Sequence, residues 1–211
     1  MNIVIIDYGM GNVRSVLRGV EKVGYKAKVS CREEDILKAD KVIFPGVGAF
    51  GDGMRELQSR ELDEIIPDFV KSGRQLLAIC VGMQLLFDVS EEHGFHKGLG
   101  LLPGKIVRIP DAEDGSIVRK IPHIGWNVIM PGERHNWRGT ILDNIQTGES
   151  CYFVHSFMAM VGNYQHLLAH CIYEGVSITA AVSHENLTGL QFHPEKSGVV
   201  GLSILNEFLK Q

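Results

Sequence analysis

Residues 2–6 read NIVII, a nearly unbroken β-branched apolar run. Such a run suits a strand covered on both faces of a parallel sheet, because a half-exposed strand would alternate. After Gly11-Asn12 the period changes: Val13, Val16, Leu17, Val20 and Val23 fall at helical spacing, and Gly24 closes the element. The alternation then repeats. The pattern predicts a strand over 26–30, a short helix over 33–38, a strand over 41–44 leading into PGVGAFGDG, and helix over 54–72. A further buried strand over 75–79 runs into Cys80, with a helix over 81–88 behind it.

From about residue 98 the texture changes to short strand-like runs split by Gly, Pro and Asn: KIVRIP, PHIGWNVIM, SCYFVHSF, HLLAHCIY, GVSITAAV and NLTGLQFH. A last helix over 199–210 is expected to present Val199, Leu202, Leu205 and Leu209 along one stripe. No repeat, linker or low-complexity segment interrupts the chain, and PDAEDG at 110–115 is its most loop-like stretch. Strands alternating with helices, then hairpins, predict one domain over 1–211. Its class is α/β, a flavodoxin-like open mixed sheet with added antiparallel strands. In such sheets chemistry collects beyond the carboxyl ends of the strands, where Asp7, Pro45-Gly46 and Cys80 fall.

Composition narrows the function. The 211 residues, 45% of them hydrophobic, suffice for one sizeable core. A formal net charge of −4 gives no general attraction to nucleic acid or an anionic membrane. The N-terminus has no basic region before Asp7, and no apolar run approaches the ~20 residues that span a bilayer. Cys31, Cys80, Cys151 and Cys171 form no CxxC pair and have no His partner at metal-ligand spacing, so the expectation is free thiols in a reducing cytoplasm, with no metal and no cofactor. DYGMGN has Arg14 where a dinucleotide fingerprint needs its third glycine, and no phosphate loop is present.

ICVGMQ is the stretch that asks for chemistry. A sharp strand-to-helix turn holds a nucleophile clear of its neighbours, and small residues let the backbone bend; Gly82 stands two residues after Cys80. Amides at the start of the next helix favour a thiolate. A small core hydrophobe is an equally good reading of this stretch taken alone. A nucleophilic cysteine needs a base and a group that fixes the base's tautomer. In LQFHPE, strand alternation puts Gln191, His193 and Glu195 on one face, with Pro194 marking a strand end. The competing reading is a surface His beside a solvated Glu. Developing negative charge on a carbonyl oxygen needs two donors. The Val81 amide offers one, and the glycine-rich loop Gly46-Val47-Gly48 the other. The remaining cysteines, and His123, His155, His170 and His184, are read as structural.

Together PGVGAF, LLAICVGMQLLF and GLQFHPEKSG resemble the class I glutamine amidotransferases, over essentially the whole chain. IIDYGMGNVRSV, PHIGWN and YFVHSF resemble one branch, the glutaminase subunits of imidazole glycerol phosphate synthases. The resemblance implies hydrolysis of glutamine to glutamate and ammonia, with Cys80 as nucleophile, His193 as proton shuttle and Glu195 holding His193. It implies glutamine contacts at Gly48, Gln84, Ser156 and Phe157. The ammonia would pass to a cyclase partner of (β/α)8 barrel fold in a heterodimer, and Asn12, Trp126 and Lys196 match segments that border it. Bland alternatives for these three are a helix cap, a core aromatic and a solvated charge. Competing functions are another biosynthetic glutaminase, a cysteine peptidase on a similar elbow, and a non-enzymatic binding module.

Overall fold

The apolar run at the N-terminus forms β1 (Ile3–Ile6), buried along its whole length. The structure, a computed structural model, describes residues 1–111, 119–132 and 136–211. Most of the loop-like 110–115 stretch therefore lies outside the described residues. After β1 come α1 (Val13–Lys22), β2 (Ala27–Ser30), α2 (Glu33–Leu37), β3 (Lys41–Gly46), α3 (Phe50–Gln58), α4 (Leu62–Lys71), β4 (Gln75–Cys80) and α5 (Val81–Leu85). The β-rich half holds β5 (Phe87–Ser90), β6 (His96–Lys97), β7 (Leu102–Arg108), β8 (His123–Val128), β9 (Met130–Pro131), β10 (Ser150–His155), β11 (Phe157–Val161), β12 (Leu167–Tyr173), β13 (Val176–His184) and β14 (Leu187–Leu190), before α6 (Gly198–Lys210).

An eight-stranded sheet runs in the order β2-β1-β3-β4-β14-β13-β12-β9. Its first five strands are parallel, and β13, β12 and β9 continue it antiparallel. A β10-β8 ribbon and a β11-β7-β5-β6 sheet complete the mixed α/β domain. Insertion of β14 between β4 and β13 matters most for the site. The register sets Gly46 opposite Cys80 and Leu190 opposite Ile79, so the carboxyl ends of β3, β4 and β14 lie side by side. Residues 46, 80 and 191 onward, distant in sequence, thereby open onto one place.

Three sequence expectations are corrected. The helical pattern over 54–72 is two helices, broken where Glu61 takes φ +59 and the polar stretch Gln58–Glu61 turns the chain. The helix after Cys80 stops at Leu85 rather than reaching Asp88, because Phe87 joins β5 opposite Leu102 and buries its ring. In α6 the stripe is rotated: Val199 is 84% exposed, while Gly201, Ile204, Leu205, Phe208 and Leu209 face the core. Gly201 sets that rotation, since a Cβ there would sit 1.9 Å from the Pro194 carbonyl oxygen. Only glycine allows α6 to come so close.

Candidate active site

Cys80 ends β4 with φ +56 and ψ −115, a backbone conformation that costs a non-glycine residue on the order of 1–3 kcal/mol. Its neighbours hold it there. A Cβ on Gly82 would lie 2.1 Å from the Phe44 carbonyl oxygen, and one on Gly46 would lie 2.5 Å from the Gly82 nitrogen. The end of β3 and the elbow thus touch backbone to backbone. The thiol is 3% exposed and donates to the Val154 carbonyl at 3.9 Å. It lines a cavity of about 400 Å³ whose walls include Val47, Gly48, Val81, Gln84, Ser156, Phe157 and His193.

Opposite the thiol, β14 has already ended at Leu190, so strand alternation does not carry His193 and Glu195 to one face. A 3₁₀ turn over Pro194–Lys196 does so instead, and it brings His193 Nδ1 to 2.8 Å from Glu195 Oε1. Both side chains are buried, 3% and 0% exposed, which removes the reading of a surface His beside a solvated Glu. The His193 amide donates to the Tyr152 carbonyl at 2.9 Å, and its carbonyl accepts from the Ser197 hydroxyl at 2.6 Å. Burial by itself lowers the imidazole's pKa, but the interactions with Cys80 and Glu195 outweigh it and push the value up to about 10. The carboxylate fixes a proton on Nδ1, and a value that high puts a second proton on Nε2 at neutral pH, although Nε2 makes no hydrogen bond in this conformation.

The donor side is only partly assembled. Gly48 takes φ +94 beside the cavity. The Val47 amide, however, donates to the Met10 carbonyl at 2.8 Å and is committed outside the cavity. Val47 is therefore no oxyanion donor in this conformation. Helix α5 is only five residues long, so the helix dipole expected behind Cys80 is weak, and the imidazole is its main electrostatic partner.

A hydrogen-bond chain that sequence reasoning missed lies against the cavity. His155, read from sequence as structural, lines it. His155 Nδ1 donates to the Phe157 carbonyl at 2.8 Å, so its Nε2 accepts from His123 Nδ1 at 3.0 Å. Gln84 Nε2 fills the other lone pair of the Phe157 carbonyl at 3.0 Å. Ser156-Phe157 is thus pinned from both sides. Gln84 also donates to Gln191 Oε1 at 3.0 Å, and Gln191 Nε2 reaches Cys80 Sγ at 3.9 Å. Sequence offered only the neighbourhood of Gln191 to His193 beyond the end of a strand, since alternation does not extend past Leu190.

His123 stacks between Phe153 and Tyr173, at ring-centroid distances of 4.9 and 4.0 Å. Burial pushes its pKa down to about 4 and that of His155 down to about 3. Unfolded histidines bind a proton near pH 6.5 while these two stay neutral in the fold. The stability these two contribute is therefore full above about pH 6.5 and is lost as pH falls from there through about 4 and then 3. The expected result is a loss of roughly 4–5 kcal/mol from these two histidines between pH 7 and 4.5, read by urea denaturation. His123→Phe should remove roughly half of that pH dependence.

The remaining candidates are scattered more widely. Trp126 is 57% exposed, not a core aromatic, and packs edge-on to Tyr152 with ring centroids 6.1 Å apart. Lys196 Nζ lies 5.9 Å from the centre of the same ring. Asn12 stands at the N-cap position of α1, yet its side chain makes no cap hydrogen bond. Cys151 and Cys171 are buried, with thiols pushed up by burial to about 12. Cys31 is exposed rather than a packing residue.

The chain matches the family model described as glutamine amidotransferase class-I over residues 4–211. It is 45% identical over 210 residues to imidazole glycerol phosphate synthase subunit HisH 1 of Legionella pneumophila (strain Lens), covering 99% of each chain. It is 47% identical over 206 residues to subunit HisH of Bacillus subtilis (strain 168), covering 98% of this chain and 94% of that protein. Among solved structures, a putative GMP synthase subunit from Thermoplasma acidophilum superposes with a TM-score of 0.72 at 17% identity, covering 100% of this chain and 92% of that one. PurLQS from Thermotoga maritima gives a TM-score of 0.70 at 18% identity, covering 99% and 97%. These two likenesses establish the fold.

Proposed function

The chain belongs to the class-I glutamine amidotransferase family, and from that premise we propose that it is the glutaminase subunit of an imidazole glycerol phosphate synthase, releasing ammonia from glutamine for histidine biosynthesis. The observation that carries the reading is Cys80 on its positive-φ elbow, in one cavity with a His193 that Glu195 holds at 2.8 Å. Glutamine would sit with its side-chain amide over Sγ. Gln84 spends its N–H groups on Phe157 and Gln191, which leaves its Oε1 to accept from the substrate's ammonium group. Gly48 and the pinned Ser156-Phe157 backbone supply further contacts.

In the first half-reaction the Cys80 sulfur, its proton held on His193 Nε2, attacks the carboxamide carbon. The carbonyl π pair moves onto oxygen, and His193 Nε2 delivers a proton to the departing nitrogen, which leaves as ammonia. A glutamyl thioester remains. Water then attacks with Nε2 taking its proton, the tetrahedral intermediate expels the thiolate, and glutamate departs. Both intermediates place negative charge on the same oxygen, which the Val81 amide and one amide of the Gly46–Gly48 loop would receive.

That second amide is Val47's, and it is now held by Met10. A partner that docks near this loop and turns the peptide would complete the donor pair. Its surface is supplied by Trp126 and Lys196, with Ile124 and Val128 exposing apolar side chains along the same strand and Asn12 at the start of α1. The partner on this reading is a cyclase of (β/α)8 barrel fold that forms a heterodimer and takes up the ammonia, and the location is the cytoplasm. Steady-state glutamate release, measured for this chain alone and with such a cyclase bearing its own ligand, tests the reading. The expected stimulation is at least about 100-fold, the worth of one oxyanion donor. Full glutaminase activity without the partner would overturn the gating. No stimulation and no glutamate from the pair would overturn the function.

A further inference from the structure

We propose that Gln191 is a catalytic residue, whose carboxamide N–H supports the Cys80 sulfur when it is charged, both as nucleophile and as leaving group. The inference rests on the glutaminase reading of the same cavity, and it adds to that site a group outside the cavity wall.

One acceptor sets the orientation of both amides. The Phe157 carbonyl accepts only, so the Gln84 side chain must present Nε2 to it, at 3.0 Å. The second N–H of that same nitrogen faces Gln191 at 3.0 Å, and what it meets must be an oxygen. Gln191 is thereby oriented: Oε1 toward Gln84, Nε2 toward Cys80 Sγ at 3.9 Å. The amide cannot flip without setting two N–H donors against each other. Gln191 is fully buried and its own backbone amide donates to the Ala180 carbonyl at 2.9 Å, so the side chain starts from a fixed strand end.

The contact lies at the outer reach of a nitrogen–sulfur hydrogen bond when the sulfur is a thiol, which donates to the Val154 carbonyl at 3.9 Å. In the other protonation state of the pair, with the proton on His193 as its raised pKa favours, the Val154 carbonyl faces an anion and has nothing to accept. Gln191 Nε2 then becomes the favourable contact. A hydrogen bond to a charged acceptor is stronger than to a neutral one, so the interaction grows as the sulfur ionises. Sulfur loses its charge when it bonds to the carboxamide carbon and regains it when the hydrolytic intermediate collapses. Gln191 therefore favours the charged sulfur before attack and again at its expulsion, without taking or giving a proton.

Two variants separate this role from packing. Gln191→Met keeps the volume and removes both hydrogen bonds. Gln191→Glu keeps the acceptor for Gln84 and makes the donor depend on a proton. Alkylation of Cys80 by iodoacetamide, followed by mass spectrometry on the folded full-length chain, reads the sulfur without needing glutamine turnover. Met should slow it about tenfold, the range for losing a charged hydrogen bond. Glu should alkylate at close to the parental rate at acid pH, where a protonated carboxyl donates, and fall behind as pH rises and the carboxylate faces the sulfur. In turnover with the cyclase, Glu should lower kcat while leaving the KM for glutamine within about twofold of the parent, since Gln84 keeps its partner. Alkylation of both folded variants at the parental rate across the pH range would overturn the proposal. If the parent releases no glutamate but alkylation still depends on residue 191, the glutaminase reading fails while the sulfur contact stands.

Discussion

Cys80→Ala is expected to abolish glutamate release, by at least about 10³-fold, while the protein keeps its fold. The two parts of that outcome have separate causes. Without sulfur no thioester can form, and water held over the site by the remaining groups is a far poorer nucleophile. The fold should survive because the methyl group occupies nearly the same small volume in a cavity wall, and because the strain at φ +56 is no worse for alanine than for cysteine. His193→Ala should fall almost as far and no further in combination, since nucleophile and base act as one unit. Retention of more than a few per cent of turnover in the folded Cys80→Ala protein, measured with the cyclase present, would remove Cys80 from the mechanism.

Gly82→Ala is expected to have the largest effect on stability. The added methyl would sit 2.1 Å from the Phe44 carbonyl oxygen and 3.3 Å from the Pro45 carbonyl carbon, all backbone atoms of β3. Neither side can give way cheaply. The end of β3 is hydrogen-bonded into the sheet opposite Cys80, and Gly82 lies in the first turn of α5. Relief requires pushing the elbow off the sheet, at a cost of about 3 kcal/mol or more. In a chain of this length that lowers Tm by roughly 6–12 °C. Any fraction that folds should also have lost glutaminase activity, because the displaced elbow carries Sγ away from His193. A Tm within about 2 °C of the parent, by calorimetry, would show that the contact between β3 and the elbow is looser than described.

The two sites differ in how they could be read. Cys80 announces itself locally, as a thiol at the end of a buried run with a glycine behind it. Nothing local says that Gly82 faces Phe44; that follows from the parallel pairing of β3 with β4 and its register. His193 and Glu195 show a mixed case. Their pairing was legible, but for a reason that does not hold, since β14 ends before them and the 3₁₀ turn makes the contact. Alternation is a property of extended backbone alone, and Pro194 ends the extension. Trp126 shows the reverse difficulty, because an aromatic residue in an alternating strand looks like core until the ribbon is seen to expose that face.

By itself the sequence determined the alternation of strands and helices in the first half, the β-rich second half, and that a thiol, an imidazole and a glycine loop lie at strand ends. Periodicity and turn chemistry act over a few residues, so a single chain read in order suffices for them. Only the tertiary structure decided which face of α6 is buried, that Val47 donates to Met10, and that Phe157, Gln84 and Gln191 orient one another toward the sulfur. Hydrogen-bond direction depends on which acceptor stands opposite each donor. In this protein the opposite group comes from a strand placed alongside by sheet order, many residues away, where no local pattern reaches.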